Sequence, residues 1–116
     1  MRRLAAATAI TLLSLTGCDD QRAAGPYVVT AIDYHFHDAH PSLPIALSRA
    51  VQFSNQGRNP HNVTIEGTDY DRTVAPGERI TIDPISSLLE SPGRYSFVCK
   101  LHADRGMSGV LVVEPG

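Results

Sequence analysis

From residue 27 onward the apolar residues fall in short runs whose members alternate inward and outward, with Gly, Pro, Asn and Asp recurring between them. The runs are Val28 to Phe36, Ile45 to Leu47, Val51 to Ser54, Asn62 to Glu66, Arg79 to Ile82, Tyr95 to Cys99 and Val110 to Val113. No stretch keeps a helical period for long, and only Ile85 to Leu89 suits a helical turn. This pattern predicts an all-β sandwich or barrel of antiparallel type, with no internal repeat. Along Tyr95-Ser96-Phe97-Val98-Cys99 the residues Tyr95, Phe97 and Cys99 share a face, so two aromatics enter the core and a half-buried thiol follows at the strand's end. Pro92-Gly93 supplies the turn before it. Gly106 and Gly109 bracket Met107 where the chain bends back into the last run.

Cys99, His102 and Met107 therefore share one loop between two strands. Three soft or borderline donors so close together suggest a metal, but a strong site wants a second imidazole. His61, in Asn59-Pro60-His61-Asn62-Val63, stands where a loop from Asn55 meets a strand, and packing two sheets face to face can bring it near. A thiolate and two neutral imidazoles make a trigonal plane, and a thioether adds a weak axial bond. That set suits one copper ion between Cu(I) and Cu(II), whereas zinc prefers four strong donors. Singly, His61 reads as a turn histidine, Met107 as core filler and Cys99 as a small buried hydrophobe; their joint spacing and context favour copper.

The string Tyr95-x-Phe97-x-Cys99-x2-His102-x4-Met107-x-Gly109, followed by a strand, with Asn55 and His61-Asn62-Val63 upstream, resembles the cupredoxin family of small blue copper proteins, of the plastocyanin and pseudoazurin kind. The resemblance spans about Tyr27 to Glu114. It implies a Greek-key β-sandwich of about eight strands, His61, Cys99, His102 and Met107 as type 1 copper ligands, and one-electron transfer to and from redox partner proteins. It also implies that Asn62 ties the two ligand loops together by hydrogen bonding. Two departures stand out. Ser48-Arg49-Ala50 replaces the glycine turn many members carry before the strand leading to the first histidine, and Asp104 and Arg105 charge the loop around His102.

The N-terminus carries an address. Arg2 and Arg3 precede the apolar run Leu4 to Leu15, too short to span a bilayer, so residues 1 to 17 read as a signal peptide. Leu15-Thr16-Gly17-Cys18 resembles the lipobox of bacterial lipoproteins, which makes Cys18 the lipidated first residue of the mature chain. Residues 18 to 26 then form the lipidated terminus and tether, and residues 27 to 116 the copper-binding domain. Losing Arg2 and Arg3 leaves eight basic residues against twelve acidic ones, a formal charge of −4 instead of −2. With no basic stripe and few aromatics, nucleic acid is excluded as a partner. Membrane contact is expected through lipid, and the domain is expected as a monomer. A Cys18–Cys99 disulfide is the competing use of the cysteines, and it would draw the N-terminus into the ligand loop.

His35, His37 and His40 form a second cluster, read either as solvated side chains on a strand or as an accessory metal site, with Ile32, Tyr34 and Phe36 facing inward beside them. Glu66, Asp69 and Asp71 read as a solvated acidic loop. The function expected is an electron carrier at the outer face of a bacterial cytoplasmic membrane; the alternative is copper delivery without a carrier role. An enzyme is not expected, because Val98 and Lys100, not histidines, flank the thiolate and one short domain leaves no evident second copper centre.

Overall fold

The computed structural model describes residues 25–38 and 43–116. Nine strands are found among them: β1 (Tyr27–Ile32), β2 (His35–Asp38), β3 (Ile45–Ala46), β4 (Val51–Asn55), β5 (His61–Ile65), β6 (Asp71–Val74), β7 (Arg79–Ile82), β8 (Gly93–Val98) and β9 (Ser108–Glu114). They form two sheets, ordered β2-β1-β4-β7 and β3-β9-β8-β5-β6. Of the connections, β1–β2, β5–β6 and β8–β9 stay within a sheet as antiparallel hairpins; each of the others crosses between sheets, so the sandwich is laced together by its loops. A short 3-10 turn at Ile85–Ser87 falls where the helical turn is expected. No helix among the described residues is long and apolar enough to cross a membrane.

Three expectations are corrected. The run Val28 to Phe36 is two strands, because Asp33 adopts φ 54° and reverses the chain, pairing Ile32 with His35 across a loop made of Asp33 and Tyr34. Aspartate tolerates this left-handed backbone because its short polar side chain bonds locally. Second, the sheets are mixed: β1 runs parallel to β4 and β3 parallel to β9. Third, Asp71 opens β6 instead of sitting in a loop. That strand is the outer edge of its sheet, and its exposed Asp-Arg-Thr suits an edge that must not recruit another chain.

The core lies between the sheets. Phe53 of β4 and Phe97 of β8 meet edge to face at 5.3 Å, and Phe36 of β2 packs on Phe97 at 4.9 Å, all three at tilted or near-perpendicular ring angles favoured by aromatic quadrupoles. Val29, Val51, Val63, Ile65 and Leu111 fill around them with essentially no exposure. Burying one such side chain stabilises the fold by roughly 1.5–3 kcal/mol. The turn at Ser48-Arg49-Ala50 needs no glycine: Arg49 N–H donates to the Ala46 carbonyl at 2.9 Å, and its buried guanidinium donates to the Gly25 carbonyl at 3.0 Å.

At the far end of the sandwich several loops converge. Gln56 N–H donates to the Ala31 carbonyl, and Asn55 exchanges backbone bonds with Gly77 and Glu78, all at 2.9 Å. The β8–β9 connection arrives at the same end.

Candidate metal centre

Cys99 follows the last residue of β8 and is completely buried, deeper than the half-burial expected of it, because Ala31 of the opposite sheet and Met107 pack over the sulfur. Its N–H donates to the Met107 carbonyl at 3.0 Å, which closes the connection into a tight loop. Residues Lys100–Arg105 form 3-10 turns, interrupted at His102 by φ −132° and ψ 25°. Gly106 ends the segment with φ 75°, a left-handed cap that glycine adopts without steric cost, and returns its N–H to the Ala103 carbonyl at 3.0 Å. Met107, buried beside Cys99, then leads into β9.

His61 is delivered from the other ligand loop. Asn55, fully buried, donates from Nδ2 to the carbonyls of Asn59 and Val74, both at 2.8 Å, and accepts from Gly57 N–H at 2.9 Å. This network shapes the loop that ends in His61, the first residue of β5. His61 is buried with Nδ1 4.0 Å from Cys99 Sγ, and His102 places its Nδ1 3.6 Å from the same sulfur. All three donor atoms lie within 4.8 Å of one another. A first-row cation with bonds of about 2.0 Å to nitrogen and about 2.3 Å to sulfur spans donor separations of this size. Both rings turn the same nitrogen toward the sulfur, and they stand edge to face at 5.1 Å.

Asn62 joins the loops twice. Its backbone N–H donates to Cys99 Sγ at 3.3 Å, and its side-chain Oδ1 accepts the Lys100 N–H at 3.2 Å. Thr64 and Asp71 orient that amide, the latter accepting from Nδ2 at 2.6 Å. Sequence reading missed Asp71 here, since an acid between Tyr70 and Arg72 carries no signal of a buried neighbour. Lys100 and Asn62 hold its carboxyl below the usual range, and Lys100 pairs with it directly. Among the other candidates, His35 and His37 lie exposed on β2 with rings 5.9 Å apart, while His40 and Cys18 lie outside the described residues. Tyr34 does not face the core as expected: it leaves the turn toward His102, with ring centroids 4.9 Å apart.

A family model described as a cupredoxin-like domain matches residues 4–113. The chain is a cupredoxin. Solved structures share its fold. Amicyanin from Paracoccus versutus aligns with 78% of this chain and 83% of its own at TM-score 0.60 and 22% identity. A fern plastocyanin mutant aligns with 75% of this chain and 99% of its own at 0.59 and 19%. A copper-containing nitrite reductase from Thermus scotoductus aligns at 0.60 and 20%; this cupredoxin spans 23% of that chain. In this cupredoxin, His61, Cys99 and His102 form the site for one copper ion.

Burial holds the His61 imidazole below its ordinary pKa of 6.5, the neighbouring His102 pushes the same way, and Asp33 partly opposes them. Its Nε2 is buried without a protein hydrogen-bond partner among the described residues. Because the folded value is depressed, the unfolded chain takes up the proton first as pH falls. The copper-free protein is therefore expected to keep this contribution above about pH 6.5 and lose it below. Urea midpoints should drop between pH 7 and 5, and a flat profile would contradict the buried neutral ring.

Proposed function

We propose that this cupredoxin is a type 1 copper electron carrier, anchored through a lipid on Cys18 at the outer face of a bacterial cytoplasmic membrane. The observation that carries the reading is the convergence of two imidazole Nδ1 atoms on one buried sulfur from two separate loops. Bound copper supplies a one-electron couple between Cu(I) and Cu(II). The protein's part is to hold the donors still. Cys99 is tied at its backbone to Met107 and at its sulfur to Asn62, and His61 is set in β5, so the sandwich itself positions these two donors. Met107, buried against Cys99, is the axial donor in this reading. His102 alone of the four is partly exposed, beside the exposed Leu101, and is the exit for the electron toward a redox partner.

The deciding experiment is the absorption and electron paramagnetic resonance spectrum of the copper-loaded, oxidised protein. An intense visible band with narrow copper hyperfine splitting is expected; a pale spectrum typical of nitrogen and oxygen ligands would overturn the reading. Met107→Leu is expected to keep the ion and raise the reduction potential by about 60 mV or more, a tenfold change in relative affinity for the two valences, because the lost thioether favoured Cu(II). Voltammetry checks it, and an unchanged potential removes Met107 from the ligand set. Cys18→Ala should move the protein from the membrane to the soluble fraction of the cell.

A second reading, copper delivery, is favoured by the exposed His35 and His37 pair. A delivery protein would load a second equivalent that His35→Ala abolishes and would surrender copper readily to a chelator. A carrier holds one equivalent and releases it slowly.

A further inference from the structure

His102 hangs from the five-stranded sheet, yet its ring is met by a residue of the other sheet. Asp33 and Tyr34 form the two-residue loop between β1 and β2, and Tyr34 stands edge to face with His102 at 4.9 Å and 71°. The guanidinium carbon of Arg105, three residues beyond His102, lies 4.1 Å from the centroid of the Tyr34 ring. The turn itself is held from below: a Cβ on Gly57 would come within 3.2 Å of the Asp33 nitrogen, so the loop that delivers His61 is packed against the loop that carries Tyr34.

The ring of His102 needs such support. Its own backbone departs from helical geometry, and Lys100, Leu101, Ala103, Asp104 and Arg105 around it are all exposed. The hydrogen bonds from Cys99, Gly106 and Met107 fix the path of the main chain but leave the side-chain torsions open. Besides the Cys99 sulfur at Nδ1, two rings meet the imidazole edge to face: His61, itself a ligand, and Tyr34. Arginine suits the outer position because its planar guanidinium stacks on an aromatic face while remaining solvated.

We propose that Tyr34 and Arg105 form a clamp that holds the His102 imidazole in its ligating orientation, making Tyr34 a positioning residue of the metal centre. The inference rests on the copper reading given above. The contact energy of one edge-to-face pair with an exposed cation–π partner corresponds to about a tenfold effect on how firmly the ring stays in place.

The test compares Tyr34→Ala, Tyr34→Phe and Arg105→Ala in the copper-loaded full chain by transfer of Cu(I) to a chromogenic chelator. The same set is examined copper-free by nuclear Overhauser contacts between rings 34 and 102 and by relaxation of the His102 ring carbons. Expected are about tenfold faster Cu(I) transfer and a disordered His102 ring in Tyr34→Ala, with near-normal behaviour in Tyr34→Phe. Arg105→Ala, which touches only the surface, should speed transfer roughly threefold and decides the matter if Tyr34→Ala fails to fold. Wild-type transfer rates with an unchanged His102 ring in Tyr34→Ala would overturn the clamp, as would Tyr34→Phe behaving like Tyr34→Ala. A wild-type protein that is not blue would overturn the copper reading, and the copper-free ring measurements would still decide the clamp.

Discussion

Cys99→Ser is expected to abolish the visible band and to weaken Cu(II) binding by more than about a hundredfold, beyond the loss that follows when an outer partner of a ligand is removed. The reason is chemical. A thiol coordinated to a metal binds as the soft thiolate, whereas a serine hydroxyl stays protonated and offers a poor, hard ligand. The position magnifies the effect. Sγ is buried among Ala31 and Met107, and it is the shared neighbour of both imidazole Nδ1 atoms and of the Asn62 N–H. The copper-free variant should lose only about 1–3 kcal/mol, since a buried hydroxyl can still accept from Asn62. Absorption spectroscopy after copper loading reads the first effect, and circular dichroism with urea titration reads the second. A variant that stays blue would remove Cys99 from the site.

How much of this was legible beforehand depends on whether the signal was local. The spacing of Cys99, His102 and Met107 is a property of one loop, and alternation around Phe97 places that loop between strands, so both were readable. His61 was readable as a candidate because it follows a loop into an alternating run, but its approach to Cys99 depends on how two sheets stack. The turn at Asp33 and Tyr34 was not, because Tyr-His-Phe-His continues the alternation past Asp33 without glycine or proline, and one aspartate inside an alternating run is a weak turn signal; the φ of Asp33 and the pairing of Ile32 with His35 show it. The parallel pairing of β1 with β4 leaves no mark in either run, since register between distant strands is set by the core they share. β6 was hidden by its own charge, for an edge strand and a solvated loop have the same composition. Tyr34 and Arg105 were obscured by the same missed turn: a tyrosine assigned inward to a continuous strand cannot reach the metal end.

Gly109 is a further case, and it carries the largest stability effect expected of any single methyl group here. The sequence suggests a place in the bend around Met107, yet Gly109 lies inside β9, directly opposite Phe97 of β8. A Cβ built at this position would lie 2.3 Å from the Phe97 Cζ and 2.9 Å from both ring Cε atoms, so the phenyl ring occupies the space a side chain would need. The ring cannot step aside, because Phe36 at 4.9 Å and Phe53 at 5.3 Å flank it and its exposure is nil. Gly109→Ala is therefore expected to destabilise the copper-free domain by about 3 kcal/mol, the upper part of the overpacking range, and to lower its melting temperature by roughly 12–24 °C. The strain should also reach the metal. Phe97 and Cys99 point to the same face two residues apart, so a displaced ring drags the thiolate and should broaden or shift the visible band of the loaded variant. Calorimetry and spectra of Gly109→Ala, Phe97→Leu and the double variant separate the causes. Because leucine vacates the contested space, the double variant should be less destabilised than the two single losses combined by more than about 1 kcal/mol. Strict additivity would mean that the glycine is there for some reason other than the ring above it.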